Sequence, residues 1–179
     1  VGRLVATSLS ESLGQQVVSD PRVGASGNIG FLAGAKSPAD GYTLLMMSNT
    51  HTANETLVPA KAYKLTTDLV PIAPVNAADL VLVVHPAVEA KTLQEFIALA
   101  KSKPKQLNYA SSGVGTPYHL AGESFKALSG TDIVHVPHRG SGEARSNVIG
   151  GHVQMMIDSV TTTAPSIAAG QVRALAVTG

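Results

Sequence analysis

From residue 80 onward, apolar runs and helical periodicities alternate along the chain. Leu80 to His85 is an almost unbroken apolar run, the pattern of a strand buried on both faces. Leu93, Phe96, Ile97 and Ala100 then recur at helical spacing, with Thr92 placed to cap the helix and Pro104 just beyond its end at Ser102. Leu107 to Ala110 predicts a short strand. Thr116 followed by Pro117 opens a helix that runs to about Leu128 and stops at Gly130. Three more strands are predicted at Ile133 to Val136, Val153 to Ile157 and Val172 to Val177. Helices over Gly142 to Ile149 and Thr162 to Ala169 separate them, each closed by glycine. Five strands alternating with four helices describe a doubly wound α/β lobe with a mainly parallel sheet.

The first 76 residues carry a sparser pattern. A helical repeat opens at Val1 and ends at Gly14, followed by a predicted strand at Gln16 to Ser19 and a helix over Asn28 to Lys36. The turn Ser37-Pro-Ala-Asp-Gly41 leads to a predicted strand at Tyr42 to Met47, and another apolar stretch spans Val70 to Val75. The chain therefore divides into a partial N-terminal lobe, 1–76, and a C-terminal α/β lobe, 77–179, with crossing strands near both ends. A first helix with no preceding strand lacks a sheet to cover, so the N-terminal lobe reads as incomplete. A gap, or a filling segment, is expected between Gln16–Ser19 and Tyr42–Met47.

Composition narrows the function classes. Hydrophobic residues make up 44%, aromatics 4%, and tryptophan is absent, which suits an alanine- and valine-rich α/β protein. A nucleic-acid module needs stacking aromatics beside a basic patch, and a formal charge of +1 offers neither. No run of about 18 apolar residues predicts a membrane span. With no cysteine, disulfides, thiolate metal sites and cysteine nucleophiles are excluded.

Three glycine- and hydroxyl-rich loops each precede a predicted helix: Gly24-Ala-Ser-Gly-Asn28, Ser111-Ser-Gly-Val-Gly-Thr116 and Arg139-Gly-Ser-Gly142. A helix N-terminus presents unpaired N–H groups and partial positive charge, so it can hold an anion without a lysine or arginine. In open α/β sheets, ligands sit beyond the carboxyl ends of the strands, where such loops lie. Each loop alone reads as a tight turn with a cap; together they favour an anion site. Gly24, Gly27 and Gly30 form GxxGxxG rather than a dinucleotide fingerprint, and no phosphate-binding GxxxxGK[ST] occurs. Ser112, His119 and Asp158 supply the residue types of a hydrolase triad, but Ser112 does not sit in a GxSxG elbow. His135 and His138 are the closest histidine pair, and the intervening Pro137 disfavours their convergence on a metal. The paired methionines Met46-Met47 and Met155-Met156 read as core packing.

Several of these segments resemble the extracytoplasmic solute receptors of the tripartite tricarboxylate transporter family, the Bug receptors. Asp20 to Gly30 is similar to that family's ENRPGAGGNIG segment, and Ala39 to Leu45 to its PDGYTLL strand. Tyr109 to Thr116, with His119-Leu-Ala121 and Glu123, resembles SSGxGSxxHLAxE; Val136 to Gly140, Gly150-Gly151 and Val172 to Thr178 match later signatures. Val23, Ser26, Ala39 and His138 depart from the pattern, standing where a proline, a glycine, a proline and an aromatic are usual.

The resemblance implies a type II periplasmic-binding-protein fold, two α/β lobes closing on a ligand. It implies a non-catalytic periplasmic receptor that captures a small carboxylate for membrane transporter subunits, without nucleic acid, membrane insertion, cofactor or metal. It also implies a first strand and binding loop before Val1 and a long portion after Gly179. The expected ligand-binding set is Ser111, Ser112, Gly113, Thr116 and His119, joined by Gly24, Ala25 and Asn28 and by Asp158. Two alternatives share parts of this reading: the effector-sensing domain of a transcription regulator and a serine hydrolase.

Overall fold

The computed structural model describes residues 1–22, 24–58 and 60–178. Val23, one of the departures above, and Gly179 lie outside the described residues.

The segment after residue 79 forms one five-stranded sheet with helices on both faces. β1 (Leu80–Val84) alternates its side chains between two cores. Leu82 and Val84 join Phe96, Tyr109, Ile133, Met155 and Ile157 on one face, beneath α5 (Leu93–Ser102) and α6 (Pro117–Ser129). Val81 and Val83 join Ala110, Ala144, Val148, Met156 and Val172 on the other, beneath α7 (Ser141–Ile149) and α8 (Val160–Ala168). Each such fully buried apolar side chain contributes roughly 1.5–3 kcal/mol, which explains why an uninterrupted apolar run makes a central strand. Met155 and Met156 are fully buried on opposite faces, as expected of core residues, whereas Met46 and Met47 are exposed.

The helix signals act where the sequence places them. Thr92 accepts a hydrogen bond from the Glu95 amide at 3.2 Å, and Thr116 caps α6 with Pro117 in its first turn. Gly130 closes α6 in the left-handed conformation, φ 64°.

The strand order is β3-β2-β4-β1-β5, with β2 (Asn108–Ser111), β3 (Val134–Pro137), β4 (Met155–Ser159) and β5 (Arg173–Val177). β2 pairs parallel with β3 and β4, but β1 pairs antiparallel with both β4 and β5. The expectation of a mainly parallel sheet is thus corrected. Four strands run one way, and β1 enters the middle of the sheet in the opposite sense. The reversal brings the start of β1 beside the end of β5. The Leu80 amide donates to Thr178 Oγ1, and the Thr178 amide donates to the Leu80 carbonyl, both at 2.9 Å. The chain enters and leaves this unit on the same rim as the carboxyl ends of β2, β3 and β4.

The preceding segment is helical: α1 (Gly2–Leu13), a 3-10 turn at Ala25–Gly27, α2 (Asn28–Ala35), α3 (Asn49–Leu57) and α4 (Leu65–Asp68). Among the described residues, the strands expected at Gln16–Ser19 and Tyr42–Met47 and the apolar stretch Val70–Val75 enter no ladder. Most of their apolar side chains are exposed, Tyr42 at 92% and Val70 at 85%, with Val17 and Leu45 half-buried; a β pattern needs a partner edge, and among the described residues none pairs with these segments. Among the described residues before residue 79, the buried ones are Phe31, Thr50, His51, Asn54 and Tyr63. Phe31 stacks on His51 and tilts against Tyr63, with centroids at 4.3 and 4.7 Å.

Candidate functional site

β2 delivers Ser111 fully buried to the carboxyl rim, and the next residues turn back to start α6. Gly113 and Gly115 lie at φ 123° and 79°, where a Cβ is strained, so these two positions require glycine. The Gly113 carbonyl accepts from Thr116 Oγ1 at 2.7 Å and from the Thr116 amide at 3.3 Å. The Gly113 amide donates to Ser111 Oγ at 3.1 Å, and the Gly115 amide to His119 Nδ1 at 3.2 Å. Among the described residues, the amides of Ser112, Val114 and Tyr118 have no protein acceptor. They are the unpaired donors of this loop and of the first turn of α6, whose dipole favours a nearby anion by about 0.3–1 kcal/mol.

The first two glycine-rich loops meet, and the His138 carbonyl, just before the third, lies beside them. Ser26 Oγ donates to the Val114 carbonyl at 2.7 Å across 88 positions of sequence. A Cβ on Gly113 would stand 2.9 Å from Ser26 Oγ and 3.6 Å from the His138 carbonyl. Ala25 and Ser26 adopt left-handed backbone, φ 45° and 54°, between Gly24 at 126° and Gly27 at 92°. Such strain in non-glycine residues concentrates where geometry is fixed for function. Asn28 is engaged internally: its Oδ1 accepts from Tyr63 Oη and Asn54 Nδ2, and its Nδ2 donates to the Ala25 carbonyl. Asn28 therefore shapes the first loop rather than reaching into the rim.

Beneath the loop lies a stack of rings. Ser111 Oγ meets His135 Nε2 at 2.6 Å, and the His135 ring packs on His119 at 4.3 Å and on Tyr109 at 4.8 Å. Burial, then the neighbouring His119, pulls His135 down to about 4. Burial also lowers His119 against the opposing pull of Glu123. Both rings are neutral at pH 7. Tyr109 Oη donates to Glu123 Oε1 at 2.6 Å; burial and that bond raise the phenol. Burial pushes Glu123 up, but its bonds from Tyr109 and Lys126 hold it below the ordinary carboxylate range.

Asp158 is placed differently from expectation. Its side chain is fully buried, and Oδ2 accepts from Arg145 Nη2 and Nε at 2.5 and 3.1 Å and from Thr163 Oγ1 at 3.0 Å. Oδ1 accepts the Ser159 amide at 2.8 Å. A carboxylate so enclosed by four donors anchors Arg145 and the start of α8; it does not itself bind an anion. It does not orient His119 either, so the triad of Ser112, His119 and Asp158 is not assembled. Tyr118, raised by burial and then by Asp158, lies beside this pair at the start of α6. Ser26, Tyr118 and Arg145 were outside the expected set. Ser26 lies inside one of the glycine-rich loops, but a separation of 13 positions between Arg145 and Asp158 leaves no local signal for their pairing. A cavity of about 340 Å³ lined by His85, Lys103, Gly151 and Gln154 sits at the opposite end of the strands, away from these loops.

A family model described as tripartite tricarboxylate transporter family receptor matches residues 1–179. BugT of Bordetella pertussis is 38% identical over 179 residues, which are 99% of this chain and 55% of that protein. A Rhodopseudomonas palustris protein solved with adipate superposes with a TM-score of 0.95 at 35% identity, covering 98% of this chain and 59% of that one. MatC from Rhodopseudomonas palustris with bound malate gives 0.92 at 26% identity, covering 99% and 61%. The chain thus spans about half the length of the curated relatives it matches, 53% and 55% of the first two.

Proposed function

We propose a function from one premise: the chain belongs to the tripartite tricarboxylate transporter family of receptors. It captures a small carboxylate in the periplasm, without turnover, and presents it to the membrane subunits of a transporter. The observation that carries this reading is the meeting of the Gly24–Asn28 and Ser111–Thr116 loops at Gly113, beside the His138 carbonyl, with unpaired amides at Ser112, Val114 and Tyr118. Amides and hydroxyls fixed in advance grip a carboxylate with little reorganisation, and the neutral His119 and His135 below add no competing charge. In this reading Ser112, Thr116 and Ser26, with Gly24 and Ala25, lie around the ligand. Adipate and malate, bound by two structural neighbours, support a dicarboxylate ligand.

The unit beginning near residue 77 serves as one lobe, and the adjacent ends of β1 and β5 serve as its crossing strands. Among the described residues no helix is long and apolar enough to cross a membrane. The test is isothermal titration with adipate, malate and a neutral diol control. Saturable binding of a dicarboxylate with no product by mass spectrometry is the expected result; turnover, or equal binding of the diol, contradicts it.

A further inference from the structure

We infer that His119 is a positioning residue of the carboxylate loop: its unprotonated Nδ1 holds the Gly115 amide inward, so ligand affinity depends on that ring staying neutral. The inference rests on the proposed binding function. An imidazole nitrogen accepts an N–H only when it carries no proton, so the Gly115 contact at 3.2 Å fixes the tautomer with hydrogen on Nε2. His119 closes the loop from its other end as well, since its own amide donates to Thr116 Oγ1 at 3.4 Å. Its ring rests on His135, whose Nε2 meets Ser111 Oγ. Two packed imidazoles, tilted by 35°, therefore brace the loop at Ser111 and at Gly115, the residues flanking the unpaired amides of Ser112 and Val114.

Glu123 and Lys126 face His119 from α6, His135 faces it from β3, Tyr109 lies behind His135 on β2, and His138 adjoins His135 from the loop after β3. Burial keeps the His119 ring neutral to a pH below its ordinary 6.5. A proton on Nδ1 turns the acceptor into a donor aimed at an N–H, and Gly115, with the freedom of glycine at φ 79°, swings away. The added charge by itself attracts a carboxylate, so the sign of the pH effect separates the two mechanisms.

The experiment measures adipate affinity by titration calorimetry on the wild type, His119→Asn and His119→Gln, from about pH 7 to about pH 5. Asparagine places an oxygen where Nδ1 stands and cannot be protonated; glutamine reaches toward Nε2 instead. The asparagine variant also carries any effect of the ligand's own protonation, so the ratio of the two dissociation constants isolates His119. That ratio, wild type over His119→Asn, is expected to rise at least about threefold on acidification, with His119→Gln weak throughout. A constant or falling ratio, or equal binding by the two variants, overturns the inference. The Gly115 amide shift in the absence of ligand gives an independent reading. It is expected to titrate in the wild type and stay fixed in His119→Asn, and a pH-insensitive Gly115 refutes His119's role. Failure of every protein to bind at pH 7 refutes the receptor reading instead.

Discussion

Replacing Asp158 by asparagine separates its structural role from ligand binding. The side chain is fully buried and its partner Arg145 is 20% exposed. In the variant Oδ1 still accepts the Ser159 amide, but an NH2 group then faces Arg145 Nη2, Arg145 Nε and Thr163 Oγ1, all donors. Breaking a buried ion pair from one side costs about 3–5 kcal/mol. Arg145 retains some contact with water, which puts the expected loss at the lower end, about 3 kcal/mol. For a chain of this size each kcal/mol lowers Tm by about 2–4 °C, so the transition should fall by roughly 6–12 °C. Thermal and urea unfolding followed by circular dichroism measure it. The double variant Arg145→Met/Asp158→Leu should recover most of the loss, because it leaves neither charge alone. Below its melting transition, Asp158→Asn should retain carboxylate affinity. A loss under about 1 kcal/mol, the range of exposed pairs, would refute the anchoring role.

Thr116→Val removes the α6 cap and the bond to the Gly113 carbonyl; it should cost about 0.5–2 kcal/mol in urea unfolding and weaken carboxylate binding. Gly113→Ala forces a Cβ into φ 123° and to 2.9 Å from Ser26 Oγ, so the far-ultraviolet spectrum should persist while carboxylate affinity drops about tenfold or more. The depressed His135 sets a pH dependence of stability: the unfolded chain binds its proton near 6.5 and the folded chain only near 4, so the unfolded state holds more protons between them. Stability should therefore fall as pH drops from 6.5 toward 4, by at most about 1.4 kcal/mol per pH unit from this group, and His135→Gln should flatten that slope in urea titrations.

The strands and helices after residue 80 were legible because each rests on a local signal. The double-faced apolar run of β1, the caps Thr92 and Thr116 and the stop at Gly130 act within one or two turns. Strand direction was not legible, since a buried run looks the same in either sense, and β1 lies antiparallel to both neighbours. The segments Gln16–Ser19 and Tyr42–Met47 carry β composition, but composition cannot provide the missing edge. At the proposed site, glycine spacing singled out the two loops that meet at Gly113. Their contacts join residues far apart in sequence: Ser26 with Val114, Ser111 with His135, Arg145 with Asp158. The sequence also placed Asp158 at the rim without revealing that its carboxylate would be enclosed.

The most direct test of the carboxylate site is amide chemical-shift mapping of the isotopically labelled chain during titration with adipate. The amides of Ser112, Val114 and Tyr118 should shift most and saturate together, with Ala25 and Ser26 responding through the Ser26 contact to Val114. Shifts centred instead on His85, Lys103 and Gly151 at the opposite end of the strands, or a loop that does not respond while adipate binds, would contradict the carboxylate site.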